Sequence, residues 1–380
     1  NELEQGLARA RSAIRKAVSM KNHSEFMAKN GISFPEIYRN PLAFIQSYKE
    51  MEKRLRVYVY REGELPMVHD GPCKDIYAIE GRFIHEMERG GNGFRTTDPR
   101  SANLFFMPFS VTWMVKYLYT PGTYDLTPLR EFVSGYVNLV AAEHPFWNRT
   151  QGADHFMLSC HDWGPHASRG NEFMFRRSIR VLCNANTSEG FDPRKDVALP
   201  EIYLYGGRVN PKLSIPPPPP SSRPHLAFFA GGIHGPIREA LLRRWKDRDP
   251  DIKVTDRLTR PEEYYGYMLR SRYCLCPSGY EVASPRIVEA VYAECVPVIL
   301  SDGYALPFGD VLRWEAFSVA ADVAGLKERL GRVSEEEYRR LRMGVRAVRR
   351  HFVLNRPPER YDAFGMILHS LWLRRLNLRL

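Results

Sequence analysis

The sequence predicts an α/β protein of two domains, each a parallel sheet with helices between its strands. Three observations predict it. At 380 residues the chain is long enough for two cores. Short β-rich apolar runs recur at intervals that leave room for a helix between them. A proline-rich stretch, "NPKLSIPPPPPSSRP" (210–224), divides the two series. Five consecutive prolines suit neither a helix nor a central strand, so this stretch is expected to be an extended, stiff spacer.

Element by element, residues 1–20 place apolar side chains at helical spacing with a basic opposite face, which reads as an amphipathic helix in a solvated N-terminal stem, 1–40. The first domain is expected over 41–209. "RLRVYVYRE" (54–62) alternates as a strand, and "NLFFMPFS" (103–110) reads as a second, buried one. A helical stretch covers about 127–144. "HFMLSC" (155–160) is a third strand, and "RVLCN" (180–184) and "VALP" (197–200) are shorter candidates. The second domain, 225–350, opens with "HLAFFAGGIHGPIREALLRRW", which spells strand, glycine-rich turn and helix. "IKVTD", "YCLCP", "VPVIL" and "FSVAA" supply its further strands. The end of the chain, 351–380, reads as helical and packing back on the first domain.

Composition narrows the function. A hydrophobic fraction of 44% with 26% charged residues is that of a globular protein, and no apolar run reaches the roughly 18 residues of a membrane-crossing helix. The chain opens on Asn1, not Met, and a segment upstream of it is expected. The net charge of +11 calls for anionic partners. The arginine clusters at 339–350 and 374–379 lie on helical patterns and are expected to be solvated faces. No nucleic-acid-binding signature accompanies them, so nucleic acid is not expected as a partner. Six cysteines are present; Cys274 and Cys276 share one face of a strand, and CxC alone is a poor zinc signal. Sequons at Asn22, Asn148 and Asn186 are compatible with N-glycosylation in a lumenal protein.

Ligands of open parallel sheets sit beyond the carboxyl ends of the strands, so the residues there carry the functional reading. In "FFAGGIHGPIREAL" the glycines, Gly232 among them, let backbone approach a ligand. His234 and Arg238 add polar and cationic groups where a helix begins, an arrangement suited to phosphate. In "CLCPSGYEVASPRIVEA" Ser278 and Gly279 close a strand. Arg286 and Glu289 then fall three apart on one helix face among apolar neighbours. An arginine at a helix start opposes the dipole. The pair reads either as an intrahelical ion pair or as a clamp, Arg286 on a diphosphate and Glu289 on ribose hydroxyls.

Residues 273–319, "YCLCPSGYEVASPRIVEAVYAECVPVILSDGYALPFGDVLRWEAFSV", closely resemble the signature of exostosin-like, family-47 glycosyltransferases. "LRVYVYRE", "GADHF", "FFAGG-x-HGP-x-R" and "YYGYMLRSRYC" resemble its plant branch, the group containing xylogalacturonan xylosyltransferase. The resemblance spans about residues 50–375. It implies a GT-B fold, two Rossmann-like domains facing a cleft, and an inverting enzyme fed by a nucleotide sugar, expected to be UDP-linked. It implies a Golgi type II membrane protein, anchored upstream of Asn1, acting on a cell-wall polysaccharide or glycoprotein glycan, the acceptor being acidic or pectin-like. A homo- or hetero-oligomer is compatible with it. Carried over by position, Arg286 and Glu289 bind the nucleoside diphosphate, Arg238 lies near the diphosphate and Tyr265 belongs to the nucleotide pocket. Animal exostosins carry a basic "KGK" where this chain has Ala230–Gly231–Gly232, which leaves that contact to backbone amides and His234.

An inverting transfer needs a base for the acceptor hydroxyl and a stabiliser for the departing diphosphate. Arg238 and Arg286 supply the second, so no metal and no cofactor are expected. "DRD" (247–249) reads as a helix terminator. For the base, "GADHFMLSCHDWGPH" offers Asp162 acting directly, or His161 oriented by Asp162. Asp162 and His155 alternatively satisfy turns. Glu281 is a further carboxylate, and Trp113 and Trp163 are candidates to stack on sugar rings. The rival reading is a catalytically silent subunit of a heteromeric synthase.

Overall fold

The computed structural model describes residues 2–20 and 23–378. Two parallel sheets form its two Rossmann-like domains, a GT-B arrangement. The first sheet holds β1 (Val57–Val59), β2 (Arg95–Thr96), β3 (Leu104–Phe106), β4 (His155–Ser159), β5 (Ile179–Leu182) and β6 (Val197–Ala198), in the order β2-β1-β3-β4-β5-β6. The second holds β7 (His225–Ala230), β8 (Ile252–Thr255), β9 (Ser271–Pro277), β10 (Val296–Leu300) and β11 (Val319–Ala320), in the order β11-β10-β9-β7-β8. Helices cover both faces, which is why β3 and β10 are apolar along their whole length and β3, β4 and β10 are buried at every residue.

In the second sheet the chain runs outward from β7 to β8, then crosses back to place β9 on the other side of β7. The crevice beyond the ends of β7 and β9 is therefore a topological switch point. Both turns singled out in the sequence, 230–236 and 277–285, leave the sheet there.

Two expectations are corrected, those for the N-terminal helix and the arginine clusters, while the proline run keeps extended backbone at Pro219 (φ −65°, ψ 165°). The proline-rich stretch is strapped to the second domain. It contains a short helix, Pro211–Ser214, and a 3₁₀ turn, Pro220–Ser222. Arg223 is buried and donates to the carbonyls of Ser271 and Ala293, both at 2.8 Å, while Arg342 donates to Pro218 O at 2.6 Å. The N-terminal helix, Glu2–Val18, docks against the helix Pro41–Arg54 and buries Leu7, Ala10 and Ala17. The apolar stripe that made it amphipathic is covered by the protein. The arginine clusters are only partly solvated: Arg342 pairs with buried Glu294 at 2.9 Å, and Arg374 and Arg375 are buried. Burial is tolerated because each guanidinium has carbonyl or carboxylate acceptors, although Arg342 Nε is left without one. Arg374 reaches Asp196 O at 2.8 Å and Asp310 at 3.1 Å, and Arg375 reaches Asn103 O at 3.1 Å. These contacts hold the last helix, Ala363–Asn377, on the first domain. Arg379 lies outside the described residues.

Cys160 is bonded to Cys183 and Cys274 to Cys295, while Cys73 and Cys276 are free thiols. The first disulfide ties the ends of β4 and β5; the second ties β9 to the residue before β10. Asn148 is exposed, its amide donating to Ala141 O at 2.9 Å. Asn186 is buried and caps the turn Thr187–Glu189, and Asn22 lies outside the described residues. Asp249 of "DRD" accepts from the amides of Asp251 and Ile252 at 2.9 and 3.2 Å, turning the chain after the helix Pro236–Trp245. Among the described residues no helix is long and apolar enough to cross a membrane.

Candidate active site

A cleft of about 290 Å³ opens at the switch point, between the two domains. Its second-domain wall holds His234, Arg238, Gly279 and Arg286; its first-domain wall holds Tyr77, Asp162 and Glu201, and Glu281 reaches in from the loop after β9.

Arg286 is the first residue of the helix Arg286–Tyr292. Its guanidinium turns toward the end of β7, donating to Ala230 O at 3.1 Å and to Ser284 Oγ at 3.3 Å, and it lies over the Phe229 ring at 4.9 Å. Its buried Nε has no partner. No ion pair joins it to Glu289 among the described residues, so the intrahelical reading of the pair does not apply. The glycines matter at two points. A Cβ on Gly231 would stand 2.6 Å from Arg286 Nη2, and one on Gly235, whose φ is +94°, would stand 2.4 Å from Gly279 O. The two turns thus approach each other backbone to backbone. Arg238 donates to Pro277 O at 3.4 Å. Burial first, and then Arg286 beside it, bring its pKa down to about 10. Two cations held this close favour an anion between them.

Glu289 sits deeper, buried, with Oε1 accepting from Tyr265 OH at 2.7 Å. Tyr265 in turn meets Tyr205 of the first domain. Burial raises the Glu289 carboxyl, opposed by the Tyr265 hydrogen bond and by Arg286. Of the remaining glycine-turn residues, Gly232 and His234 are exposed at the rim. The amides of Ser278 and Gly279 are already engaged, with Leu300 O at 3.0 Å and Glu281 O at 2.9 Å, so a ligand contact from Ser278 would come from its hydroxyl.

Across the cleft, burial pushes Asp162 up to about 6; a hydrogen bond from Tyr77 opposes the shift and Glu189 adds to it. His161 faces elsewhere. Its Nδ1 accepts from the Trp163 amide at 3.1 Å, its ring lies 5.2 Å from that of Tyr77, and burial brings it down to about 4. It makes no hydrogen bond to Asp162, so the arrangement favours Asp162 acting directly. His155 is buried between Tyr60 and Asp154, at 2.8 Å from each. Neither Trp163, which packs on Tyr119 at 4.7 Å, nor Trp113 lines the cleft.

Sequence reasoning missed four contributors. Tyr77 precedes the helix Ala78–Arg89 in the left-handed region, φ +61°, a costly conformation for a non-glycine residue that aims its side chain at Asp162. Glu80, fully buried, accepts from Ser110 Oγ at 2.5 Å and from the Cys160 amide at 2.9 Å, anchoring the loop that carries Asp162. Asn184 donates to Glu281 at 2.6 Å, to Glu189 at 3.2 Å and to Asp162 O at 2.9 Å, joining the two domains. Glu201, three residues beyond β6, is the fourth.

This geometry meets an independent finding. The exostosin GT47 domain model matches residues 51–336. The chain belongs to that glycosyltransferase family. It is 59% identical over 384 residues to a probable glycosyltransferase of Arabidopsis thaliana, covering 100% of this chain and 79% of the relative. A probable glucuronosyltransferase of Oryza sativa subsp. japonica is 31% identical, over 84% of this chain and 80% of its own length. A probable beta-1,4-xylosyltransferase of Arabidopsis thaliana is 29% identical, over 84% and 81%. In this GT47 chain the matched span contains both sheets, both turns and every residue of the cleft.

Proposed function

We propose that this glycosyltransferase inverts the anomeric carbon of a UDP-linked sugar, without a metal, on a plant cell-wall polysaccharide. One observation carries the reading: Arg238 and Arg286, one from each strand-to-helix turn, line the same cleft as Asp162 from the opposing domain. Arg286 and Arg238 hold the diphosphate, and Glu289 keeps one carboxyl oxygen for ribose while the other accepts from Tyr265. Asp162 accepts the proton of the acceptor hydroxyl as its oxygen bonds to the anomeric carbon. The bond from that carbon to the phosphate oxygen breaks on the opposite face, and the electron pair leaves with the diphosphate. The two guanidiniums meet the charge that develops there, so no metal has to supply it. A pKa near 6 keeps Asp162 ionised at neutral pH yet more basic than a solvated aspartate. Two disulfides support an oxidising, lumenal site of action, which we place in the Golgi behind an upstream type II anchor. The +11 charge suits an acidic, pectin-like acceptor chain.

The test is direct. Purified protein should bind UDP by calorimetry and slowly hydrolyse one member of a nucleotide-sugar panel with no divalent ion added. Absence of both nucleotide binding and turnover would instead support a silent structural subunit.

A further inference from the structure

The first-domain side of the cleft is crowded with carboxyls. Asp162, Glu201 and Glu281 line the cleft, and Glu189 stands behind Glu281, both accepting from the Asn184 amide. None of the four has an ion-pair partner among the described residues. The groups joining them are neutral: the Asn184 amide touches Glu281 and Glu189, and the Tyr77 hydroxyl serves Asp162. Each carboxyl senses others of the set, and all are held above their ordinary range where a shift is resolved.

Glu201 is the second, independent observation. It is 5% exposed, lines the cleft, and has neither a hydrogen-bond nor an ion-pair partner among the described residues. Burial holds the Glu201 carboxyl up to about 8, so in the free protein a proton meets its charge where no protein group does, and a ligand hydroxyl can complete it. It lies beyond β6 in the same cleft as Arg238 and Arg286, whose charges both act on it.

We propose that the sugar transferred here is neutral, and that Glu201 selects it by receiving a sugar hydroxyl and excluding a uronate carboxylate. The inference rests on the donor-site reading above. With a diphosphate bound, Arg238 and Arg286 are occupied, and the remaining cleft-lining group able to carry positive charge is His234, exposed at the rim. Above about pH 8, where Glu201 and Glu281 ionise, a uronate would add a negative charge beside carboxylates with no cation left to meet it. A hydroxyl suits Glu201 in either protonation state, because a carboxyl oxygen accepts in both.

Matched donors test this. Calorimetry at about pH 9, where Glu201 is ionised, would compare UDP-glucose with UDP-glucuronate and UDP-galactose with UDP-galacturonate, with UDP as reference. The neutral member of at least one pair is expected to bind about tenfold or more tightly than its uronate, since like-charge contacts cost that much or more. Glu201→Gln should bind UDP like the wild type, yet narrow that ratio about threefold or more. A uronate binding as tightly as its neutral counterpart in both pairs overturns the proposal. A Glu201→Gln variant that keeps the full ratio overturns the role of Glu201, and if that variant does not fold, the wild-type pairs decide. UDP itself failing to bind overturns the donor-site reading, and this inference with it.

Discussion

Replacing Arg286 with alanine separates a phosphate clamp from a structural arginine. In the free protein its guanidinium makes two hydrogen bonds, to Ala230 O and Ser284 Oγ, while Nε is buried without a partner. A diphosphate would gain charge-assisted bonds from it, each worth about 1.5–3 kcal/mol. Two of them set a loss of roughly 3 kcal/mol, or about 100-fold in the Kd of UDP. The cost to folding is smaller. The half-buried side chain gives up two neutral-acceptor bonds and its contact with Phe229, and its removal relieves repulsion with Arg238. About 1 kcal/mol is expected, a Tm change of only a few degrees. Calorimetry with UDP and with uridine completes the assay. Arg286→Ala should weaken UDP and leave uridine unchanged, because uridine has no phosphate. Glu289→Gln, which keeps an acceptor for Tyr265, should weaken both. A folded Arg286→Ala variant that binds UDP within about threefold of wild type refutes the clamp.

Three further predictions follow. Asp162→Asn should lower kcat about 10²- to 10⁴-fold with the UDP Kd unchanged. The wild-type rate should fall below about pH 6, where Asp162 takes up a proton; the same acid limb persisting in an active Asp162→Asn would assign the base elsewhere. Stability runs the other way. Asp162 and Glu201 have folded-state pKa values of about 6 and 8, above their unfolded ones. Their contribution is therefore fully present below about pH 4 and lost as pH rises through 6 and 8. Their share of the Tm should fall from pH 5 to 9, and Glu201→Gln should flatten the upper part of that fall. The disulfides close loops of 23 and 21 residues, so each is worth roughly 3 kcal/mol against denaturant. A Cys160→Ser, Cys183→Ser double variant should lose kcat more than UDP affinity, because that bridge precedes the Asp162 loop. Equal loss of both would show the bridge supporting the fold alone.

The fold was legible where local pattern and topology agree. β7, β9 and β10 each contain a continuous apolar run that ends at turn residues, and the sequence reading finds each strand within a residue or two. β2 is only Arg95–Thr96 and carries no periodicity to read. Composition misled at Arg342, Arg374 and Arg375. An arginine on a helical pattern looks solvated, yet here carbonyls and carboxylates distant in sequence accept from it. The N-terminal helix misled in the same way, since amphipathicity announces a face to be covered without naming the cover.

The site divides along the same line. Arg286 and Glu289 were legible because three-residue spacing on one helix is a local fact, and the glycine turns because a backbone requirement leaves its mark on the sequence. What opposes them is assembled by non-local contacts. Tyr77 points at Asp162 through a backbone conformation that a tyrosine does not advertise, and Glu80 holds the Cys160 amide from another element. Glu201 was missed because "VALPEIYLYG" reads as one apolar stretch with a stray charge. Yet the rule that located the donor turns applies equally to the other sheet. β4, β5 and β6 end on the cleft side, and their first polar residues beyond are His161 and Asp162, Asn184, and Glu201. Had the carboxyl ends of both sheets been weighed alike, a lone carboxylate just past a buried strand, amid residues that bury, would have stood out for the same reason Arg286 did: its surroundings make the charge costly, and only a ligand gives it a partner.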